Sequence, residues 1–558
     1  MKQPTSARAP ILVLLVGLII GLLLAEEFKA PISVLLSVAL IGGMIALYFA
    51  RHPNLQCGWA LCYVLSAVSC FWAYGIIRLP TMPSPHNQAL PAREAQLSIE
   101  IERIMYPGQA YNNPSGLARV LTAPPLSRIN PGDHIYFRLK IPENLASKNR
   151  DNSHIQSGLQ LTTTGVLTPI LTDDSTAKNP KFETYLTTLG VHYRFDRTES
   201  LEIIRTPPVF AQFCANMNQR FQQTLHLGAP EQSDLVNVYI AMLLGRRLEL
   251  TDDQTQRYQM TGTMHFFAIS GLHIGVIAAV IAQFLLLIRI PYIVRPWIGL
   301  PLLYLYVEIT GSSPSALRAF LMTAFFWLSF AFQRQRSPFA ALIGSALLVL
   351  AIDPIQLWSI GFQLSYTVVA SILLFGLPLY NSLTSRLQPY GWRPEEDWNP
   401  RERITVWLVD KLLLLFAISF SAWLASTPLS AALFECIIPG AILLNMLLVN
   451  LVALVITSGV ISLVSASLFV PELSEFINHS AWAVIHLMDL AVIHCAQLPG
   501  TSLPSVGFSP ILSYAILGNY YVLLLWLHRH PQRLNSNALW LPPLLIISTI
   551  AAVYLILR

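Results

Sequence analysis

The stretch that decides the fold is Met264-His-Phe-Phe-Ala-Ile-Ser-Gly-Leu-His-Ile-Gly275, which opens a long uncharged run. Asp, Glu, Lys and Arg are all missing between Arg257 and Arg289, a gap long enough for a helix to cross a bilayer. The run nevertheless begins with two histidines, a serine and glycines, and polar groups held in hydrocarbon need a partner or water. The stretch therefore predicts a membrane helix that belongs to a passage or a reaction site.

The composition of the whole chain indicates a membrane protein. Of its 558 residues, 54% are hydrophobic and only 12% are charged, about half the charged share of soluble globular proteins. We expect a polytopic α-helical membrane protein with about 10–13 spans. The apolar runs lie near residues 10–25, 31–50, 57–79, 262–288, 297–310, 316–332, 338–352, 358–379, 405–432, 441–469, 480–497, 509–527 and 538–556.

Charged residues around the first runs predict the orientation. Lys2 and Arg8 precede the first run, the loop at 26–29 is acidic on balance, and the next loop begins with Arg51. Because Lys and Arg stay preferentially in the cytoplasm, we expect a cytoplasmic N-terminus and an extracytoplasmic segment after Arg78. The first run is interpreted as a retained helix rather than a signal peptide.

The sizeable polar block at 81–207 has the pattern of β-structure. Apolar and polar residues alternate in His134-Ile-Tyr-Phe-Arg-Leu-Lys-Ile141 and again over 191–196. Further strands are predicted, with turn residues between them, at 97–105, 116–123, 159–171 and 201–206. Five or six strands of this length fit a small barrel such as an OB-fold.

Two interpretations of the polar face of these strands remain open. The side chains suited to gripping a nucleic-acid backbone and stacking on bases are His134, Tyr136, Arg138, Lys140, His192 and Arg194. However, the block holds 13 Lys and Arg against 12 Asp and Glu, a balance of +1 that lacks the usual basic footprint. A solvated sheet face explains the pattern equally well.

Three interpretations compete for the polar residues of the opening stretch. His265 and His273 are eight residues apart, about 80° around one helix, with Ser270 between them. An intramembrane serine hydrolase would use Ser270 with a histidine base, but no acid stands nearby and the GxSxG elbow is missing. Close helix packing at Gly271 and Gly275 is the second interpretation. A pore lining is the one we favour.

Other polar residues interrupt the later apolar runs. Pro314 breaks the region before Arg318, which needs a counter-ion or water, although a plain turn between two spans fits nearly as well. The further interruptions are Asp353, Gln363, Ser365, Pro428, Asn445 and Asn450. Several polar helices in one bundle predict a shared hydrated cavity.

Several activities lack their sequence signatures. The chain has no GxxxxGK[ST] phosphate loop and no HExxH motif, so neither ATP hydrolysis by that route nor zinc proteolysis is expected. Its six cysteines form no CxxC pair, and none lies in the 81–207 block, so zinc and disulfide frameworks are unsupported. We expect no metal and no cofactor.

Together these segments resemble the ComEC competence-protein family, the inner-membrane DNA channels of natural transformation. The residues that carry the resemblance are Gly262-Thr-Met-His-Phe-Phe-Ala-Ile-Ser-Gly-Leu-His-Ile-Gly275, Pro314-Ser-Ala-Leu-Arg-Ala-Phe320, Asp353-Pro354, Gly361-Phe-Gln-Leu-Ser365, Thr427-Pro428, Asn445 and Asn450. The segment Lys181-Phe-Glu-Thr-Tyr-Leu-Thr-Thr-Leu-Gly190 is similar to the end of the family's extracytoplasmic domain.

The resemblance implies a channel in the bacterial inner membrane that moves single-stranded DNA into the cytoplasm. The implied lining or gating residues are His265, Ser270, Gly271, His273, Pro314, Arg318, Asp353, Gln363, Ser365, Pro428, Asn445 and Asn450. The implied organisation is N-terminal helices at 1–80, an OB-like domain at 81–207, amphipathic helices at 208–257, a channel core at 258–470 and C-terminal helices at 471–558.

Two departures from the family pattern affect the expected partners. Many members carry a C-terminal metallo-β-lactamase-like domain, thought to degrade the other strand, but no HxHxDH motif occurs here, so we expect a nuclease in trans. The family's extracytoplasmic domain often has a disulfide, whereas this block must depend on its core alone. Other implied partners are membrane lipid, a periplasmic DNA-receptor protein, and a cytoplasmic motor or single-strand-binding proteins. A transporter of another polar solute and a serine hydrolase remain the alternatives.

Overall fold

The computed structural model describes most of the chain. The described residues are 10–51, 56–79, 91–106, 113–140, 155–170, 180–198, 201–230, 234–333, 337–468, 470–498, 500–505, 507–534 and 537–557. They fall into two compact units, the first made of residues 1–220, 308–311 and 343–359 and the second of the rest. Lys2 and Arg8, on which the predicted orientation partly depends, lie outside the described residues.

Three apolar helices open the first unit, as the sequence predicted. They are α1 (Pro10–Glu27), α2 (Ile32–Arg51) and α3 (Gln56–Arg78). Small residues let α1 approach α3 closely, since an added Cβ on Gly21 would lie 2.7 Å from the Trp72 backbone nitrogen. The Ser66 hydroxyl of α3 donates a hydrogen bond to the Ala39 carbonyl of α2 at 2.7 Å. Such contacts are typical of helices that pack within a membrane.

Six strands form the β-rich part of the first unit. They are β1 (Arg93–Tyr106), β2 (Ser115–Thr122), β3 (His134–Arg138), β4 (Gln160–Pro169), β5 (Tyr193–Asp196) and β6 (Glu202–Arg205). The long β1 pairs antiparallel with both β2 and β4, which closes the order β1-β2-β3-β5-β4 into a five-stranded barrel. β3 and β5 pair in parallel. The OB-like barrel predicted from the alternating pattern is confirmed.

Alternating side chains fill this barrel, as the period of two predicted. Leu97, Ile99 and Ile101 point inward from β1 and pack with Phe137 and Phe195. Helix α4 (Pro180–Thr187) lies between β4 and β5 in the chain. Its Leu186 is buried and its Phe182 is half-buried, and both belong to the apolar cluster that covers Tyr136 on the outer surface of the sheet.

A short antiparallel ladder joins Cys436–Ile437 to Leu503–Pro504, and the other long elements of the described residues are α-helices. They are α5 (Val209–Leu225), α6 (Asp234–Leu244), α7 (Asp252–Met260), α8 (Gly271–Leu287), α9 (Arg295–Ile309), α10 (Pro314–Ala331), α11 (Pro338–Ile352), α12 (Ile360–Ser371), α13 (Leu377–Leu387), α14 (Pro400–Leu433), α15 (Ala441–Ser467), α16 (Pro471–Gln497), α17 (Pro510–Arg529), α18 (Pro531–Leu534) and α19 (Leu541–Leu557). Among the described residues, nine helices are long and apolar enough to cross a membrane, with α12 and α13 counted as one. The predicted polytopic class is confirmed.

Helix α6 differs from the amphipathic connection predicted for 208–257. Eight of its eleven residues are buried, including the whole run from Val238 to Leu244. At about 1.5 Å per residue its length is about 16 Å, only half of the hydrocarbon layer. The Tyr306 hydroxyl donates a buried hydrogen bond to the Leu243 carbonyl at 2.6 Å. A short helix that is apolar on every side is a core element rather than a surface connection.

Helix α8 begins later than the predicted span of 262–288. Met264–Phe267 forms a 3₁₀ turn, and the helix starts at Gly271 after an extended Ser270. The polar half of the stretch is therefore a turn and a loop rather than part of the helix. Ser270 is the helix N-cap. His265 and His273 lie on different elements, so the predicted relation of about 80° around one helix is wrong.

Candidate functional site

The 3₁₀ turn at Met264–Phe267 is anchored on its buried side. Phe267 is fully buried and packs edge-on against Tyr258, with the ring centroids 4.6 Å apart. His265 is exposed, and its Nδ1 donates to the Gly262 carbonyl at 2.9 Å. This bond leaves Nε2 as the ring nitrogen of His265 that is directed away from the turn.

Ser270 and His273 form the cap of α8. The Ser270 backbone N–H donates to His273 Nδ1 at 3.3 Å, and the Ser270 Oγ lies 3.0 Å from the same nitrogen. An accepting Nδ1 leaves the imidazole proton on Nε2, so the buried ring is the neutral Nε2–H tautomer. A catalytic serine and its histidine base would make the same Oγ–Nδ1 contact. However, no carboxylate of the described residues hydrogen-bonds His273 Nε2, as the orienting acid of such an enzyme would. Helix capping explains the pair without catalysis.

Gly271 and Gly275 face open space. An added Cβ at either position would have no heavy atom within 4 Å, so neither glycine serves close packing within the described chain. Gly275 instead borders a cavity of about 390 Å³ between α8, α10, α11 and α12.

The walls of this cavity are apolar. Ala278 and Ala282 of α8 face Phe326 of α10, and the hydroxyl of Thr323 is already bonded to the Ala319 carbonyl at 2.9 Å. Water needs several polar partners to be held in a cavity. Of the residues predicted to line a hydrated cavity, none borders this one.

Arg318 of α10 and Ser365 of α12 meet inside the second unit. The Arg318 side chain is buried, with 5% of the residue exposed, and its Nη2 donates to the Ser365 Oγ at 3.2 Å. Gly361 allows this approach, because an added Cβ would lie 3.0 Å from the same Nη2. The sequence predicted both Arg318 and Ser365 as functional, and the structure brings them together across two helices.

Gln363, on the same helix, is held by α17. The Tyr514 hydroxyl donates to Gln363 Oε1 at 2.9 Å, and the Tyr521 hydroxyl donates to the Thr367 carbonyl. Sequence reasoning missed these tyrosines. Their spacing of seven residues on an apolar helix, which places both on one face, was the available signal.

The structure places Pro314 and Asp353 in turns. Pro314 is the first residue of α10, after Ser313, whose side chain accepts the Ala316 N–H at 3.3 Å. The predicted helix break at Pro314 is thus a turn between two helices. Asp353 belongs to the first unit and caps the 3₁₀ turn Pro354–Trp358.

The remaining predicted lining residues lie on α14 and α15. Pro428 is buried within α14, where the Ser513 hydroxyl donates to its carbonyl at 2.7 Å. Asn450 is exposed on α15, and Asn445 is half-buried on the same helix. No hydrogen bond among the described residues joins either asparagine side chain to Arg318 or His265.

The predicted binding face of the barrel is only partly exposed. Its exposed members are His134, Arg138 and Lys140. Tyr136 is buried against Phe182 of α4, with ring centroids 5.3 Å apart, and its hydroxyl donates to the Ser115 Oγ at 3.0 Å. The prediction that Tyr136 offers its ring for base stacking is therefore wrong, because α4 covers it.

The barrel face also differs from the predicted binding face at three other positions. Arg194 is ion-paired with Glu183 of α4 at 3.1 Å and with Asp196 at 3.4 Å. His192 is half-buried. Arg119 of β2, which sequence reasoning missed, is exposed directly opposite His134 in the strand register. The exposed basic set is therefore centred on β2 and β3.

A family model described as Competence protein matches residues 242–530, more than half of the chain. The chain belongs to the Competence protein family. The matched segment runs from the end of α6 through α17, so it includes His265, Arg318 and Gln363 and leaves the barrel outside.

Three curated proteins are similar to parts of this competence-family chain. ComE operon protein 3 of Bacillus subtilis is 30% identical over 35% of this chain and 24% of its own length. Recombination protein 2 of Haemophilus influenzae is 26% identical over 55% of this chain and 37% of its own length. Uncharacterized protein YcaI of Escherichia coli is 29% identical over 29% of this chain and 20% of its own length. The chain thus spans well under half of these relatives, and no solved structure matches it.

The pKa of one barrel histidine in this competence-family protein depends on its glutamate partner. His134 Nε2 lies 3.3 Å from the Glu102 carboxylate, and this hydrogen bond raises the pKa of His134 above its ordinary 6.5, against partial burial. The pair therefore stabilises the barrel fully below pH 6.5 and loses that effect as the pH rises through the raised pKa.

The variant Glu102→Gln tests this titration. We expect it to lower the pKa of His134 in histidine-selective NMR of the full-length protein. His192, whose pKa is lowered by burial, is the internal control and should not move. An unchanged pKa of His134 in the variant contradicts the pairing.

Proposed function

We propose that this chain forms a conduit for single-stranded DNA across the bacterial inner membrane, with its N-terminus in the cytoplasm. The observation that carries the proposal is the buried Arg318–Ser365 pair in helices that the Competence model matches. A guanidinium inside a membrane bundle is costly unless it serves a polar path. Phosphate is a ligand that its planar fork fits.

Polar side chains of the second unit suit a moving polymer. His265, Ser270 and Gln363 are hydrogen-bonding groups, and Arg318 adds one cation. Each passing phosphate would meet weak, repeated contacts rather than one deep energy well, and such contacts allow conduction. The conduit is proposed to pass the exposed turn at His265 and the open side of α8 at Gly271.

The barrel is proposed to receive the strand outside the membrane. OB-folds bind oligonucleotides on the face of their second and third strands. Here β2 and β3 expose Arg119, His134 and Arg138. The proposed partners are the strand itself, lipid, a periplasmic DNA receptor, and a cytoplasmic motor or single-strand-binding proteins that pull the strand inward. The proposal gives the chain no bond-breaking step.

Cysteine cross-linking tests the path of the strand. In a variant whose six native cysteines are replaced by alanine, one protein carries Gly271→Cys and a second carries Leu287→Cys. Gly271 faces open space at the start of α8, and Leu287 is 79% exposed at the end of the same helix. The DNA strand used carries thiol-reactive groups on its backbone and a bulky group at one end, so that it stalls in the protein during uptake. We expect cross-links at position 271 and none at 287, and equal labelling contradicts the path.

The second candidate function is an intramembrane serine hydrolase, favoured by the 3.0 Å contact between Ser270 Oγ and His273 Nδ1. The variants Ser270→Asn and Ser270→Ala separate the two functions. Asparagine is as good an N-cap as serine but no nucleophile, whereas alanine loses about 1 kcal/mol of capping. We expect Ser270→Asn to keep most uptake and Ser270→Ala to lower it several-fold. Complete loss in both variants favours the hydrolase.

A further inference from the structure

Helix α17 carries a stripe of hydrogen-bond donors at a spacing of seven residues. Its members, Tyr514, Tyr521 and His528, lie on one face of the helix, because seven residues make almost two turns. The two tyrosines bond to α12 itself, and His528 Nε2 donates to the Leu374 carbonyl, just past the end of α12, at 2.8 Å. One face of α17 is therefore bonded along α12 and into the turn that follows it.

The last of these bonds lies where α12 cannot continue as a regular helix. An α-helix would bond the Leu374 carbonyl to the N–H of the residue four positions later, but that residue is Pro378, which has no N–H. The chain instead forms a π-helical turn at Ile372–Gly376, a geometry that is rare and frequent at functional sites. A backbone carbonyl without a donor is costly inside a membrane. His528 supplies, from another helix, the donor that Pro378 lacks.

A second set of bonds fixes the start of the same turn. Because the Ser371 hydroxyl donates to the Ser421 carbonyl of α14 at 2.8 Å, its oxygen accepts from the Tyr520 hydroxyl of α17 at 2.7 Å. Gly376 brings the turn close to α14, since an added Cβ would lie 2.7 Å from the Ser421 Oγ. The turn is thus held by α14 and α17 at its start and by His528 at Leu374.

We infer that His528 is a positioning residue for the proposed path of the strand, an inference that rests on the proposed function. By bonding the turn at the end of α12, it sets the direction of the helix that carries Gln363 and Ser365. Ser365 accepts from the Arg318 Nη2 at 3.2 Å, at the long end for such a bond, so a small shift of α12 breaks it. Without a donor for the Leu374 carbonyl, we expect the turn to shift and α12 to move with it.

Substitutions at His528 separate the reach of the side chain from its polarity. The amide nitrogen of His528→Gln can take the place of Nε2, whereas the side chain of His528→Asn is too short and that of His528→Leu has no donor. Each variant is expressed in cells without the native gene, and cytoplasmic label is measured after addition of labelled DNA. We expect uptake to fall about tenfold in His528→Leu and His528→Asn and to stay at the wild-type level in His528→Gln. The matched control is His530→Leu, at an exposed histidine two residues further on, which should have no effect.

A double-mutant cycle distinguishes positioning from a contribution to stability alone. If His528 acts through Ser365, its loss should matter little once the bond between Arg318 and Ser365 is absent. We therefore expect His528→Leu to lower uptake by only about threefold or less in a protein that already carries Ser365→Ala. Tyr521→Phe removes one hydroxyl of the same stripe and keeps the ring, so it should show the same dependence on Ser365 with a smaller loss. This variant replaces His528→Leu in the cycle if the latter does not reach a normal membrane level.

The outcomes separate this role from the function on which it rests. If cells without the gene show the same cytoplasmic label as the wild type, the proposed function fails and the inference falls with it. If the gene supports uptake but the effects of His528→Leu and Ser365→Ala multiply, His528 contributes stability only, so the inference is overturned and the conduit stands. Normal uptake by His528→Leu, or an equal loss in His528→Gln and His528→Asn, overturns the inference as well.

Discussion

Replacing Arg318 with alanine is expected to lower uptake of DNA into the cytoplasm by about 10- to 100-fold. Hydrogen bonds to charged groups contribute about 1.5–3 kcal/mol, and each 1.4 kcal/mol corresponds to about tenfold. Arg318 is buried and bonded to Ser365 across two helices, so the variant loses both this contact and the cation that the proposed conduit offers to passing phosphates. The measurement is cytoplasmic label after addition of labelled DNA.

Two companion variants show whether charge or packing is responsible. Arg318→Lys keeps the cation and is expected to retain more uptake than alanine does. Ser365→Ala removes the acceptor at 3.2 Å and keeps the arginine, so its effect should be smaller. Membrane levels of each variant are measured alongside. Normal uptake by Arg318→Ala at a normal membrane level contradicts a role for this residue in the path.

The variant Gly116→Ala is expected to destabilise the barrel strongly and to lower the urea concentration at which it unfolds. An added Cβ on Gly116 would lie well inside van der Waals contact of the Arg103 carbonyl and 3.0 Å from the Ile104 Cα. Overpacking usually costs about 1–3 kcal/mol, and we expect the upper end because the obstacle is backbone. Whole domains have only about 5–15 kcal/mol of stability. Limited proteolysis of the full-length protein in increasing urea measures the effect.

Thr122→Ala is the matched control for this variant. Thr122 lies on the same strand but is exposed, so its truncation should leave the urea midpoint of barrel proteolysis almost unchanged. Cleavage within the barrel at equal urea concentrations in Gly116→Ala and the wild type would show that β1 shifts to accept the methyl group.

The barrel was predictable because its signal is local. Alternation at 134–141 and 191–196 gave the strands β3 and β5 and the inward direction of Phe137. The fate of Tyr136 was not predictable from that period, because the helix that buries it begins more than 40 residues later in the chain. A period of two separates the two sides of a strand and does not show what covers the outer one.

The membrane core was predictable in class and less so in detail. Absence of charge between Arg257 and Arg289 located the apolar helix α8, but it could not show that this helix starts only at Gly271. A serine followed three residues later by a residue that bonds back to it was the available signal at Ser270. Arg318 and Ser365 were found because polar residues stand out in apolar helices, whereas their contact depends on how two helices pack.

Residues in short loops escaped prediction because their neighbours are set by tertiary structure. Arg247 follows an apolar helix and looks like an ordinary flanking charge in the sequence. Only the folded chain shows its bond to the carbonyl of Phe267, on the same 3₁₀ turn as His265. Arg119 was missed for the same reason, since strand register, not local pattern, places it opposite His134.

The most direct test of the conduit is to follow labelled duplex DNA in the source organism with and without this gene. Label in the periplasm and in the cytoplasm is measured separately, and spheroplasts given the same DNA remove any dependence on earlier uptake steps. We predict that cells without the gene take DNA as far as the periplasm only, and that the wild-type gene, but not Arg318→Ala, restores single-stranded label in the cytoplasm. Equal cytoplasmic label with and without the gene would contradict the conduit.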